Sequence, residues 1–189
     1  MPIPNWLAII GLLLWLGYEV ALRRRAAGDT ARSRDGDTDR GSTLLLVTAY
    51  TLAIVLIIGL GLTEAGRMPV GTRWIGVAMM AAGLGLRAWG MNVLGTFYTR
   101  TLRVAGDQHV VTAGPYRLIR HPGYAGSLLV WTGYCLGSGN WIAFTVVAVL
   151  MLAAYGWRIQ SEERLLVDTF GDEYTSYQRR TARILPYVY

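Results

Sequence analysis

The chain has 189 residues, of which 53% are hydrophobic and only 16% charged, a balance that excludes a disordered or nucleic-acid-binding tail. The apolar residues arrive in blocks of about 15 to 21, long enough to cross a ~30 Å hydrocarbon layer at 1.5 Å per residue, so the chain reads as an all-α, polytopic membrane helix bundle. The formal charge is +6 with all 18 basic residues arginine, and the single cysteine, Cys135, rules out an intrachain disulfide or a cysteine metal cage.

The first apolar run, residues 3–22, is followed rather than preceded by positive charge at Arg23, Arg24 and Arg25. It is therefore expected to be an uncleaved span with a stop-transfer flank, not a signal peptide. Residues 26–42 contain no aliphatic or aromatic side chain larger than Ala and read as a solvated, mobile connector. A second run occupies 43–62, and a short link around Glu64, Arg67 and Pro69 leads to a third at 74–94. After a polar stretch from 95 to 122 come two shorter runs, 124–136 and 141–157. Gly137, Ser138, Gly139 and Asn140 separate them, a turn composition that predicts a helical hairpin. The fifth run continues into the sequence YGWRIQSEERLLVDTF, which predicts an amphipathic tail helix with a stripe of Leu166, Phe170, Tyr174 and Tyr177, broken at Gly171. About five membrane spans thus divide into residues 1–94, three spans with an Arg- and Asp-rich loop at 23–42, and residues 95–189, a polar segment, the hairpin and the tail.

Loop arginines set the expected orientation. They crowd the loop at 23–42, the segment at 95–122 and the tail after Trp157, whereas the links at 63–73 and 137–140 hold only Arg67 and Arg73. This places the N-terminus outside and the C-terminus in the cytoplasm, in an inner membrane of bacterial type. Trp6, Trp74 and Trp141 would then share the outer boundary as an aromatic belt.

Arg87 lies inside the third span, about seven residues or ~10 Å from its cytoplasmic end. An ionisable group there is a functional candidate by default, and snorkelling to the headgroups is the equal alternative. The richest segment is QHVVTAGPYRLIRHPGYAG, residues 108–126. Pro122 disfavours helix at His121, so the backbone just before the fourth span should be irregular, with N–H and C=O groups left for a polar ligand or water. Tyr116, His121 and Tyr124 offer stacking faces and polar tips suited to a purine and a ribose, although composition alone favours ordinary interfacial anchoring. Arg158 and Glu162 stand four apart on one helical face, next to that segment, while Glu163 points about 100° away and is less well placed. GLGLTEAG and GLGLRAWG sit in apolar spans without a preceding strand, which excludes a Rossmann loop. Gly133 and Gly137 form a small-xxx-small pattern for helix packing. His109 and His121 lack a partner at ligand spacing, so no metal is expected, and no serine occupies a nucleophile elbow.

The string VVTAGPYRLIRHPGYAG, then the hairpin, RIQSEERLL, FGDEYTSYQRR and a terminal ILPY resembles the isoprenylcysteine carboxyl methyltransferase family of integral membrane methyltransferases, over roughly residues 94–187. The resemblance implies methyl transfer from S-adenosylmethionine, leaving S-adenosylhomocysteine, to a lipophilic acceptor that enters from the bilayer. By position it implies cofactor contacts from Gln108, His109, Val110, Val111, Tyr116, His121, Pro122, Gly123 and Tyr124. Glu162 closes the site, and Arg158 faces the acceptor. One departure is that Gln108 stands where many members have histidine, with His109 one residue along. Membrane lipids and a lipophilic or lipidated acceptor are the expected partners, with no nucleic acid and no metal.

The physical reading suits this chemistry. In-line displacement from a sulfonium needs positioning above all. A carboxylate acceptor is ionised at neutral pH and needs no base, and Arg158 can orient it with a two-point fork. The prenylcysteine carboxylate is the leading acceptor. N-methylation of a phospholipid or other amine is the alternative enzyme reading, and a non-catalytic membrane scaffold is the alternative from another class.

Overall fold

The computed structural model describes residues 1–30, 40–95 and 110–186, the side chains of 23–30 and 40–43 excepted. The described residues form α1 (Ile3–Thr30), α2 (Arg40–Gly61), α3 (Val70–Leu94), a 3₁₀ turn (Gly114–Arg117), α4 (Pro122–Ser138), α5 (Trp141–Phe170) and α6 (Asp172–Gln178), with no strand among them. Helices α1, α2, α3 and α5 are long and apolar enough to cross a membrane. Their outward side chains, such as Leu13, Leu52, Ile58, Ile75 and Val149, are exposed and apolar, as lipid contact requires. The fourth expected span, α4, has 17 residues, ~26 Å at 1.5 Å per residue, and is the short member of the bundle.

Three helices outrun their apolar runs. α1 continues through the three arginines to Thr30, and α2 begins at Arg40, so the ends of the expected connector at 26–42 are helical. Once a span has left the bilayer, helix-favouring Ala and Arg carry it on without needing a buried face. α5 likewise runs unbroken through the charged sequence to Phe170, where Gly171 at φ 54° ends it and opens α6.

One end of the bundle is tied by polar caps. Asn140 caps α5 by accepting from the Ala143 N–H at 2.9 Å, and its amide donates to the Ala65 carbonyl at 2.8 Å. Gly139, at φ 92°, ends α4 in the left-handed region and accepts from the Met68 N–H at 2.9 Å. Asn5 donates to the Ser138 carbonyl at 3.1 Å and accepts from Arg73 at 2.9 Å. These contacts gather the starts of α1, α3 and α5 with the end of α4, and there Trp6, Trp74 and Trp141 stand exposed together. All three tryptophans share one end, as the sequence predicts.

α3 and α4 form the closest seam. A Cβ on Gly83 would lie 2.6 Å from the Gly126 carbonyl, and one on Gly133 would lie 2.7 Å from the Gly76 carbonyl. The contacts advance seven residues along each helix in opposite directions, the register of two antiparallel helices touching backbone to backbone. This accounts for GLGLRAWG, whose Gly83 and Gly90 face α4 rather than a nucleotide. Above the seam Trp15, Tyr50 and Trp131 pack ring on ring, with Tyr50 and Trp131 stacked at 5.3 Å. Tyr50 also reaches the Tyr155 hydroxyl at 3.2 Å, fastening α2 to α5.

Candidate active site

The site lies at the opposite end of the bundle. α4 rises from the polar caps to Pro122, and Arg158 sits ~26 Å along α5 from Trp141, so the two arrive at the same height. Gly114, at φ 57°, opens the 3₁₀ turn; Pro115 and Tyr116 are buried behind it. Tyr177 of α6 donates to the Tyr116 carbonyl at 2.7 Å. Burial pushes the Tyr177 hydroxyl up to about 12, which keeps it a protonated donor at any physiological pH.

The irregular backbone before α4 does not wait for a ligand or water. The Arg120 N–H donates to Ala182 at 2.8 Å, the His121 N–H to Arg183 at 3.1 Å, and the Ala182 N–H returns to Leu118 at 3.0 Å. The tail folds back and lies alongside residues 118–121, satisfying groups for which the sequence suggested an external partner.

Glu163 holds this arrangement. Its side chain is 5% exposed. One oxygen accepts from Arg120 Nε at 2.8 Å and faces His121 Nε2 at 3.3 Å, while the other accepts from Arg183 Nε at 3.1 Å. Arg120 goes on to the Gln178 carbonyl at 3.0 Å and to the Thr181 carbonyl. Sequence reasoning passed over Glu163 because it measured the residue against Arg158 alone. The available signal was the Glu–Glu pair itself: adjacent helical positions point ~100° apart and serve different partners.

Glu162 faces the other way. The Tyr124 hydroxyl donates to its carboxylate at 2.9 Å and accepts from Arg158 Nε at 3.3 Å, so the phenol lies between the two charged groups. Arg158 is buried and Glu162 half-buried. The Tyr124 ring lies 5.8 Å from the His121 ring and 5.3 Å from that of Tyr155. Six of the sequence-derived site residues thus meet where the start of α4 lies against α5: His121, Pro122, Gly123, Tyr124, Arg158 and Glu162. Tyr116 is anchored beside them through Tyr177. Val110 and Val111 are half-buried at the edge, the Val110 N–H 3.4 Å from Glu173 of α6. Gln108 and His109 lie outside the described residues. No group of three metal-ligating side chains occurs among the described residues.

Arg87 does not snorkel. It is buried, donates to the Gly123 carbonyl at 2.7 Å and forms an ion pair with Glu19 of α1, a residue that sequence reasoning did not single out.

The family model for phospholipid methyltransferases matches residues 72–173, over half of the chain. Protein-S-isoprenylcysteine O-methyltransferase A of Arabidopsis thaliana is 30% identical over 154 residues, 78% of each chain, and its B counterpart is 30% identical over 155 residues, again 78% of each. The chain belongs to the isoprenylcysteine carboxyl methyltransferase family. The fold agrees. The solved structure of the eukaryotic intramembrane Ras methyltransferase isoprenylcysteine carboxyl methyltransferase superposes with a TM-score of 0.60 at 19% identity, over 85% of this chain. The chain spans 56% of that larger protein. The segment matched by the phospholipid methyltransferase model starts in α3 and stops in α6, so Glu19, Tyr50 and Arg183 lie outside it.

Proposed function

We propose that the chain is a membrane methyltransferase that moves a methyl group from S-adenosylmethionine to the carboxylate of a prenylcysteine-like acceptor. The observation that carries this reading is the Arg158–Tyr124–Glu162 array. It holds a buried cation and a half-buried anion on either side of one phenol, at the height where α4 begins.

The residues fit the donor. Glu162 uses one oxygen for Tyr124, and a carboxylate has further lone pairs for an ammonium group. The faces of Tyr124 and His121 suit a purine or a sulfonium, with Val110, Val111, Tyr116, Pro122 and Gly123 as the surrounding wall. When bound, S-adenosylmethionine supplies an electrophilic methyl carbon for in-line displacement. Arg158 orients the acceptor: its guanidinium is steered through Nε by Tyr124 and presents its N–H groups in a plane that matches a carboxylate. Tyr124 fixes the separation of the acceptor's cation from the donor's anion, which is the positioning on which the rate depends.

The same reading makes α4 and α5 a membrane hairpin, the fourth and fifth spans, and α6 an amphipathic tail at the membrane surface. The distribution of arginine supports a cytoplasmic site and C-terminus with the N-terminus outside, in an inner membrane of bacterial type. The exposed apolar flanks of the bundle give a prenyl chain a route from the bilayer. N-methylation of a lipid amine is a second reading, favoured by the match to the phospholipid methyltransferase model. It requires a base to take the amine proton, a role that falls to Glu162.

The Arg158→Lys variant tests the assignment. Lysine keeps the charge and loses the fork, so turnover of an S-farnesylcysteine acceptor falls by about 10- to 100-fold while binding of labelled S-adenosylmethionine stays near wild type. Unchanged turnover contradicts the role given to Arg158.

A further inference from the structure

The α3–α4 seam puts a charge directly beneath the site. The glycine contacts step by seven residues per helix, Gly76 with Gly133 and Gly83 with Gly126, and about half a step further toward the site, four residues on along α3 and three back along α4, Arg87 stands beside Gly123. There the guanidinium donates to the Gly123 carbonyl at 2.7 Å. That carbonyl belongs to the first turn of α4, and a carbonyl has two lone pairs, so it can serve the helix ladder and Arg87 together. A Cβ on Gly123 would lie 2.8 Å from Met91 Cε and 3.3 Å from Arg87 Nη1, so the backbone must stay bare for the guanidinium to reach it.

Across the bundle, Glu19 of α1 forms the ion pair with Arg87, the two side chains 16% and 8% exposed. An ionised pair within a membrane bundle is costly to desolvate. For packing alone, two apolar side chains of the same volume serve as well or better. What they cannot do is aim a donor at the Gly123 carbonyl. Gly123 stands between His121, which Glu163 holds from the tail side, and Tyr124, whose hydroxyl joins Arg158 to Glu162.

We infer that Glu19 and Arg87 are positioning residues: the ion pair directs the Arg87 guanidinium at the Gly123 carbonyl and so sets the height and rotation of the α4 turn that presents Tyr124. By this route α1, which lies outside the matched family segment, becomes part of the catalytic unit. The inference rests on the reading of the site as a methyl-transfer centre.

The test compares wild type with Arg87→Lys and with the double variant Glu19→Leu/Arg87→Leu, each purified in detergent and reconstituted in liposomes. Three quantities are read: the unfolding temperature, binding of labelled S-adenosylmethionine, and kcat and KM with S-farnesylcysteine. The double variant removes both charges and is expected to unfold near the wild-type temperature, with kcat lowered about 10- to 100-fold and KM for the acceptor nearly unchanged. Arg87→Lys keeps the charge but cannot span both partners, and is expected to lose kcat similarly while remaining folded; it decides the matter should the double variant fail to fold. Wild-type kcat in folded Arg87→Lys or in the folded double variant overturns the inference and leaves the methyl-transfer reading standing. A wild-type protein that binds no labelled donor overturns that reading, and the inference with it.

Discussion

Glu163 meets Arg120, His121 and Arg183 on two carboxylate oxygens, while one position earlier Glu162 meets Tyr124. Adjacent glutamates therefore divide the labour, one closing the fold of the tail and the other, in the proposed function, facing the methyl donor. Replacing Glu163 by Gln leaves the buried Arg120 guanidinium without its anion, a change that costs about 3 kcal/mol, and takes the partner of Arg183, which is exposed. Glu163→Gln should accordingly unfold at a clearly lower temperature in detergent, measured by thermal unfolding. Glu162→Gln, at a half-buried position with one hydrogen bond, should keep its unfolding temperature and lose turnover. The opposite ranking contradicts the division. Arg158 and Glu162 were legible in the sequence because their spacing of four residues is a local helical property. Glu163 was not, because its partners come from the segment before α4 and from the tail, and only the folding back of residues 181–183 brings them within reach. Glu19 escaped for the same reason: a single acidic residue near the end of an apolar run shows its purpose only beside Arg87.

The α3–α4 seam is the element that sets the height of the site, since its glycine register carries Arg87 to Gly123 and α4 to its start at Pro122. A methyl group at Gly133 would meet the Gly76 carbonyl at 2.7 Å and the Met80 nitrogen at 2.9 Å, both backbone atoms that cannot move aside. Gly133→Ala should therefore destabilise the protein by about 1 to 3 kcal/mol. Gly85→Ala, on the same helix α3 with no atom within 4 Å, should be neutral or slightly stabilising. Equal effects of the two substitutions on the unfolding temperature would rule out the seam as described. The sequence showed Gly133 and Gly137 as a packing pattern, and correctly refused a nucleotide loop at GLGLRAWG. What it could not show was the partner surface, because the heptad-spaced glycines of α3 gain their meaning only in register with those of α4. The spans themselves were legible from apolar run lengths, and their ends were not: past the bilayer, helix continues wherever propensity allows, as in α1 and α5.

At the scale of the whole molecule, an apolar exterior surrounds a short fourth helix, a long fifth helix and a tail that locks onto the segment before the fourth helix. In the proposed function, Arg158, Tyr124 and Glu162 then sit where a lipid-borne carboxylate and a water-borne methyl donor meet. The composition announced the exterior, and the 108–126 and 158–163 strings announced the junction; the polar ties from α1 and α2 emerged only from the packing. The central claim is the transfer of a methyl group to a prenylcysteine carboxylate. It is tested most directly by incubating the liposome-reconstituted protein with methyl-labelled S-adenosylmethionine, an S-farnesylcysteine with a free carboxylate and an amine-headgroup phospholipid, then identifying the labelled product by mass spectrometry. The account predicts label in a base-labile methyl ester of the farnesylcysteine, abolished when the carboxylate is blocked beforehand. Label on the phospholipid amine with none on the carboxylate would contradict it.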